Sequence, residues 1–251
     1  MARTPLSMWL MKKRLERAGY ACSLFGYSVA LKDLDEIVDR FLSRVHETVG
    51  AASRPENPSP LPSPATGEGA TSHPENPSPL PSPATGEGAT SHPQDTASRP
   101  GKASLRYAVV GHSLGNVIAR LATPRLPPGW CRFAMLAPPN RASVMAQALG
   151  DNAIYRATTR DTGQKLTDEA FFAGLPMPEV PSLIIAGTRG PRAAWLPFRG
   201  EPNDAVLKVA ETELEGVPRI EVDGIHSFLM NRRDVFEAIR DFFASGTPPA
   251  C

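Results

Sequence analysis

The run from Leu105 to Leu121 constrains this chain more than any other stretch. Leu105 to Val110 is short, apolar and β-favouring, and polar residues bound it. That pattern reads as a buried strand of a parallel sheet. Leu114, Val117, Ile118 and Leu121 then recur at helical spacing. Between strand and helix lies Gly111-His112-Ser113-Leu114-Gly115, a G-x-S-x-G. A strand that turns sharply into a helix through this pentapeptide lifts the serine hydroxyl clear of the sheet. Both glycines are expected to be there because the turn is tight and side chains would collide with strand and helix. Ser113 is thereby placed at a helix N-terminus, where free N–H groups and the helix dipole favour negative charge.

Composition narrows the class. The 251 residues are 41% hydrophobic and 21% charged, which suits one sizeable core. A formal net charge of +1 gives no electrostatic case for nucleic acid or a strongly anionic surface. Three widely spaced cysteines, Cys22, Cys131 and Cys251, imply neither a disulfide framework nor zinc-ligand spacing. No apolar run is long enough for an integral membrane segment, and the start lacks the order of a signal peptide. As written, the chain is expected to be cytoplasmic.

Taken in order, Leu6 to Leu15 reads as a helix stopped by Gly19, and Tyr20 to Tyr27 as a short aromatic-rich strand. Leu34, Ile37, Val38, Phe41, Leu42 and Val45 mark an amphipathic helix. Residues 51–103 break the pattern. Pro55 to Ser72 reads PENPSPLPSPATGEGATS, and Pro74 to Ser91 repeats it letter for letter. This segment lacks apolar periodicity and cannot bury enough surface to offset its ordering entropy. It is expected to be a disordered insertion in a surface loop, where added length costs little. Expected strands follow at Arg132–Ala137, Ser182–Ala186 and Arg219–Val222. Helices are expected weakly near Ser143–Leu149, then at Asp204–Glu213 and from about Arg232. The alternation predicts a mostly parallel sheet with helices on both faces. The domain would comprise residues 1–50 and 104–246, with 247–251 as a tail.

A serine hydroxyl needs a neighbouring base to act as a nucleophile at neutral pH. Of the five histidines, His46 lies on the amphipathic helix, His73 and His92 in the repeats, and His112 inside the turn. His226 remains, in the loop between the last strand and the last helix. With strand, G-x-S-x-G, helix and a histidine loop in this order, the chain resembles the α/β-hydrolase family, especially its small lidless bacterial esterases and lipases. The resemblance covers nearly the whole chain outside the insertion.

The resemblance implies an acid between serine and histidine, for which Asp204 in Asn203-Asp204-Ala205-Val206 is the best match. Asp223 is the rival; only three residues before His226, it reads as a turn former. One donor to the oxyanion should be the N–H of Leu114. In the family a second donor follows a His-Gly pair behind an early strand. Met1 to Met8 resembles the stretch after that pair, so the second donor falls near Met1, and neither the strand nor the His-Gly occurs in this sequence. The expectation is a sheet that closes up between the Tyr20–Tyr27 and Leu105–Val110 strands, or a weakly active, poorly folding chain.

The implied activity is hydrolysis of small-molecule or lipid carboxylic esters through an acyl-enzyme, without metal or organic cofactor. Ser113 would attack, His226 carry the proton and Asp204 orient His226. A thioesterase or acyltransferase would use the same residues. A non-catalytic fragment, or an interaction protein displaying the proline-rich repeat, is the alternative from another class.

Overall fold

A computed structural model describes residues 2–3, 5–53 and 105–245. The chain divides into two units, Met1–Arg54 with Ser104–Cys251, and Pro55–Ala103. The repeat insertion therefore lies outside the described residues, apart from its first three.

The apolar strand residues assemble a four-stranded parallel sheet, in the order β3 (Tyr107–His112), β4 (Trp130–Leu136), β5 (Ser182–Gly187) and β6 (Arg219–Val222). The register pairs His112 with Leu136, Leu136 with Ile185, and Gly187 with Val222. All four strands thus end along one edge, where open parallel sheets place their sites. Side chains alternate along β4 as a two-residue period demands. Phe133 and Met135 meet Ala119 of α3 (Leu114–Ala122). Ala134 and Leu136 share the opposite core with Met11 and Leu15 of α1 (Trp9–Arg17), and with Val235, Ile239 and Phe243 of α7 (Arg233–Ala244). A further core joins α2 (Leu34–Ala52), through Ile37, Val38 and Leu42, to Val117 and Ile118 of α3. Helices therefore cover both faces. Between β4 and β5 lie α4 (Val144–Leu149), α5 (Ala153–Lys165) and α6 (Glu169–Ala173). No helix among the described residues is long and apolar enough to cross a membrane.

Several expectations are corrected. Tyr20–Tyr27 does not form a strand beside β3, which is an edge strand among the described residues. Only β2 (Tyr27–Ser28) is extended, pairing antiparallel with β1 (Ala2–Arg3). The aromatics serve packing instead. Tyr20 meets Phe243 edge-on at 5.8 Å, and Phe25 meets Phe41 at 5.4 Å, in different cores. Aromatic enrichment reports a half-buried surface, and a ladder is only one way to supply it. Asp204–Glu213 is not an α-helix; it is a turn followed by a 3₁₀ segment, Val209–Thr212. Helix α2 runs two residues into the segment read as insertion, and α5 was not foreseen in a stretch without a clear apolar face. Cys22 is a free cysteine. The helix stop at Gly19 is present, at φ +95°.

The two elbow glycines have different reasons. A Cβ on Gly111 would meet Asn116 Oδ1 at 2.1 Å and the Asn116 Cα at 3.2 Å. Asn116 cannot yield, because its Nδ2 donates to the carbonyls of Ser113 and Leu136, each at 3.0 Å. A Cβ on Gly115 would meet nothing within 4 Å, so the expected collision does not exist there. Gly111→Ala should therefore lower the unfolding free energy by about 1–3 kcal/mol, as over-packing does, while Gly115→Ala should be neutral or stabilising. Equal effects in chemical denaturation would contradict this reading of the turn.

Candidate active site

Ser113 stands between β3 and α3 with φ 54° and ψ −130°, a region that side chains avoid. Its N–H donates to the Leu136 carbonyl at 2.9 Å, and its carbonyl accepts from the Asn116 N–H and Nδ2. The strained residue is thus held from β4 on one side and from α3 on the other. Leu114 opens α3, so its N–H belongs to the first-turn amides that have no carbonyl within the helix to meet.

The segment after β5 brings in the carboxylate. Asp204 is 1% exposed, and its Oδ1 accepts from the N–H groups of Val206 at 2.9 Å and Leu207 at 2.7 Å. Its own N–H donates to the Leu207 carbonyl at 3.0 Å, which closes the turn. Ala205 adopts φ +78° to allow this, which explains why a helix does not start here. Asn203 bolts the turn in place, donating from Nδ2 to the carbonyls of Pro191 and Glu201, both at 2.9 Å.

With Oδ1 committed to the backbone, Oδ2 faces His226 Nδ1 at 2.7 Å. An ionised carboxylate only accepts, so Nδ1 carries the imidazole proton and Nε2 is left as the acceptor. Ser113 Oγ lies 2.9 Å from that Nε2. The His226 N–H also donates to the Asp204 carbonyl at 2.8 Å, so backbone and side chain are both tied to the same turn. All three residues are buried. The arrangement can transfer a proton from the serine hydroxyl to an imidazole fixed in one tautomer.

The structure thus brings Ser113, Asp204 and His226 together and leaves Asp223 out. Asp223 is exposed, and its backbone carbonyl accepts from Arg232. Met1 lies outside the described residues. His112 has more to do than sequence elimination allowed. Its Nε2–H donates to the His226 carbonyl at 3.0 Å, and the two rings lie 4.9 Å apart. Its place at the last residue of β3, where the strand ends converge, was the available signal. Glu211 was also missed; it is 5% exposed, and burial pushes its carboxyl above the ordinary value against the pull of the N–H groups of Val144 and Lys208. Arg120, buried on α3, is drawn down to about 10 by desolvation and is held by Asn140 and the carbonyls of Leu175 and Pro176. Among the described residues, no cluster of metal-ligating side chains occurs.

A parallel sheet with a strained serine after β3, an acid after β5 and a histidine after β6 completes the picture. The fold is α/β-hydrolase-like. No protein-family profile matches the sequence, and no curated protein does. Solved structures that share part of the architecture include a lipase-esterase related protein from Clostridium acetobutylicum, at 12% identity and a TM-score of 0.43, covering 96% of this chain and 90% of that one. An esterase from Pyrococcus furiosus, at 16% and 0.34, covers 57% of this chain and 54% of its own. The phospholipase PlaB from Legionella pneumophila, at 15% and 0.43, covers 84% of this chain and 42% of its own. The chain spans about half the length of the esterase and less of the phospholipase. At these scores the fold is carried by the sheet and its turns alone.

The His112 bond makes its own expectation. His112→Phe keeps a ring against His226 but withdraws a donor from its buried carbonyl, and should cost about 1–3 kcal/mol. An unchanged midpoint in a urea titration would show that the bond contributes nothing.

Proposed function

We propose that this protein is a serine hydrolase of carboxylic esters that works through an acyl-enzyme. The observation that carries the reading is the unbroken run of hydrogen bonds from Ser113 Oγ through the His226 imidazole to the Asp204 carboxylate, at 2.9 and 2.7 Å. Ser113 Oγ attacks the ester carbonyl as its proton passes to His226 Nε2. The carbonyl oxygen becomes an oxyanion, and the N–H of Leu114 donates to it. The intermediate collapses with cleavage of the C–O bond, and the imidazolium returns its proton to the departing alkoxide. A water then repeats the sequence on the acyl-Ser113 ester, losing its proton to Nε2 and releasing the carboxylic acid. Asp204 stays ionised throughout, holding the tautomer and stabilising the imidazolium. No step requires a metal or an organic cofactor.

The substrate site supports the reading. Ser113 and Leu114 line a cleft together with Met145, Ala146 and Leu149 of α4 and with Val206 and Leu207. Apolar walls around a nucleophile suit an acyl group.

Ser113→Ala should abolish hydrolysis of p-nitrophenyl acetate with an unchanged circular dichroism spectrum. Asp204→Asn should lower kcat by about 10⁴, as loss of the correct tautomer does, while Asp223→Asn should leave it within a few-fold of the parent. Full activity in Asp204→Asn, or its loss in Asp223→Asn, would remove Asp204 from the mechanism.

A further inference from the structure

The two walls of the cleft come from distant parts of the sequence, and one buried carboxylate holds both. Glu211 Oε1 accepts from the N–H of Val144, the first residue of α4, at 2.7 Å. Its Oε2 accepts from the N–H of Lys208 at 2.9 Å. Lys208 directly follows Leu207, which also lines the cleft and whose N–H donates to Asp204 Oδ1. Backbone bonds continue the brace, since the Asn140 N–H donates to the Glu211 carbonyl at 2.9 Å and Asn140 Nδ2 donates to the Thr212 carbonyl at 2.8 Å. The base of α4 is fixed again where the Ser143 N–H meets the Leu166 carbonyl at 3.1 Å. Neither wall can swing away from the other while these bonds hold.

The space that remains is small. The cleft is partly open to solvent and offers about 40 Å³ between its lining residues. Each water-sized atom needs roughly 10–15 Å³ of such space, so the cleft takes about three or four carbon atoms of an acyl chain. Drug-sized ligands occupy about 300–1,000 Å³. We propose that Glu211 is a specificity-determining residue: by bracing α4 against the acid turn it fixes the cleft at a size for acyl groups of about two to four carbons. The proposal rests on the ester-hydrolase reading of Ser113. Glu211 touches no reacting atom and acts through the walls that it holds.

Longer chains outgrow this space and extend past Leu149, which is exposed. Met145 and Leu149, four residues apart on one face of α4, are the part of the wall that truncation can open, and neither is fully buried. Glu211→Ala frees the base of the wall, whereas Glu211→Gln keeps one acceptor oxygen and should keep part of the brace.

The test is the acyl-length profile of kcat/KM on p-nitrophenyl acetate, butyrate and octanoate. The parent protein should favour acetate or butyrate over octanoate by about 100-fold, within the range that a badly accommodated methylene commands. Glu211→Ala should shrink that preference about tenfold or more, with Glu211→Gln between it and the parent. Met145→Ala, whose side chain takes no part in the Glu211 bonds, should shift the profile in the same direction. A merely structural glutamate would lower the melting temperature and leave the profile unmoved. Parent activity that is equal on octanoate and acetate overturns the size limit while leaving the ester-hydrolase reading standing. A Glu211→Ala variant with the parent's profile overturns the role of the brace. Should Glu211→Ala fail to fold, an unshifted profile in Met145→Ala overturns the wall assignment. Absence of turnover on every ester overturns the proposal together with the reading beneath it.

Discussion

Everything at the site depends on one backbone conformation, that of Ser113. Holding a residue with a side chain at φ 54° and ψ −130° costs about 1–3 kcal/mol, and the surroundings must over-determine it. They do so from three directions. The Leu136 carbonyl receives the Ser113 N–H, Asn116 grips the Ser113 carbonyl twice, and the bare Gly111 lets Asn116 come that close. The strain is local, and the packing of α3 against β4 through Ala119, Phe133 and Met135 offsets it.

The second constraint is the turn at Asp204. A buried carboxylate is costly unless its oxygens are satisfied, and here each has a distinct task. Oδ1 takes two backbone N–H groups, which closes the turn, and Oδ2 takes the imidazole. The same turn holds the His226 backbone through the Asp204 carbonyl and, through Lys208, meets the carboxylate that anchors α4. Asp204, His226 and the segments lining the cleft are therefore tied together by one set of hydrogen bonds.

Much of this was legible in the sequence, and the limits have physical causes. The strand at Ser182 and the elbow announce themselves because a buried parallel strand needs an unbroken apolar run, whereas Arg219–Val222, at the sheet edge, alternates charged and apolar residues. His226 emerged by elimination, since the remaining histidines sat in segments with other duties. Tyr20–Tyr27 misled because aromatic residues signal burial whether or not a ladder forms, and here they fill two cores. Asp204–Glu213 misled because Val206, Leu207 and Val209 mimic a helical face, while the positive φ of Ala205 and the Asx-type turn decide otherwise. Glu211 was invisible for a different reason. Its partners are backbone amides at Val144 and Lys208, and no pattern of side chains records a bond to an N–H 67 residues away.

The central claim is that Ser113 is a nucleophile only because this geometry makes it one. Labelling with a small fluorophosphonate, followed by intact-mass analysis and peptide mapping, tests it most directly. The account predicts one adduct per chain, on the peptide that carries Ser113, and its loss in protein unfolded by urea before exposure. Labelling spread over several serines, or a native protein that takes up no probe, would contradict it.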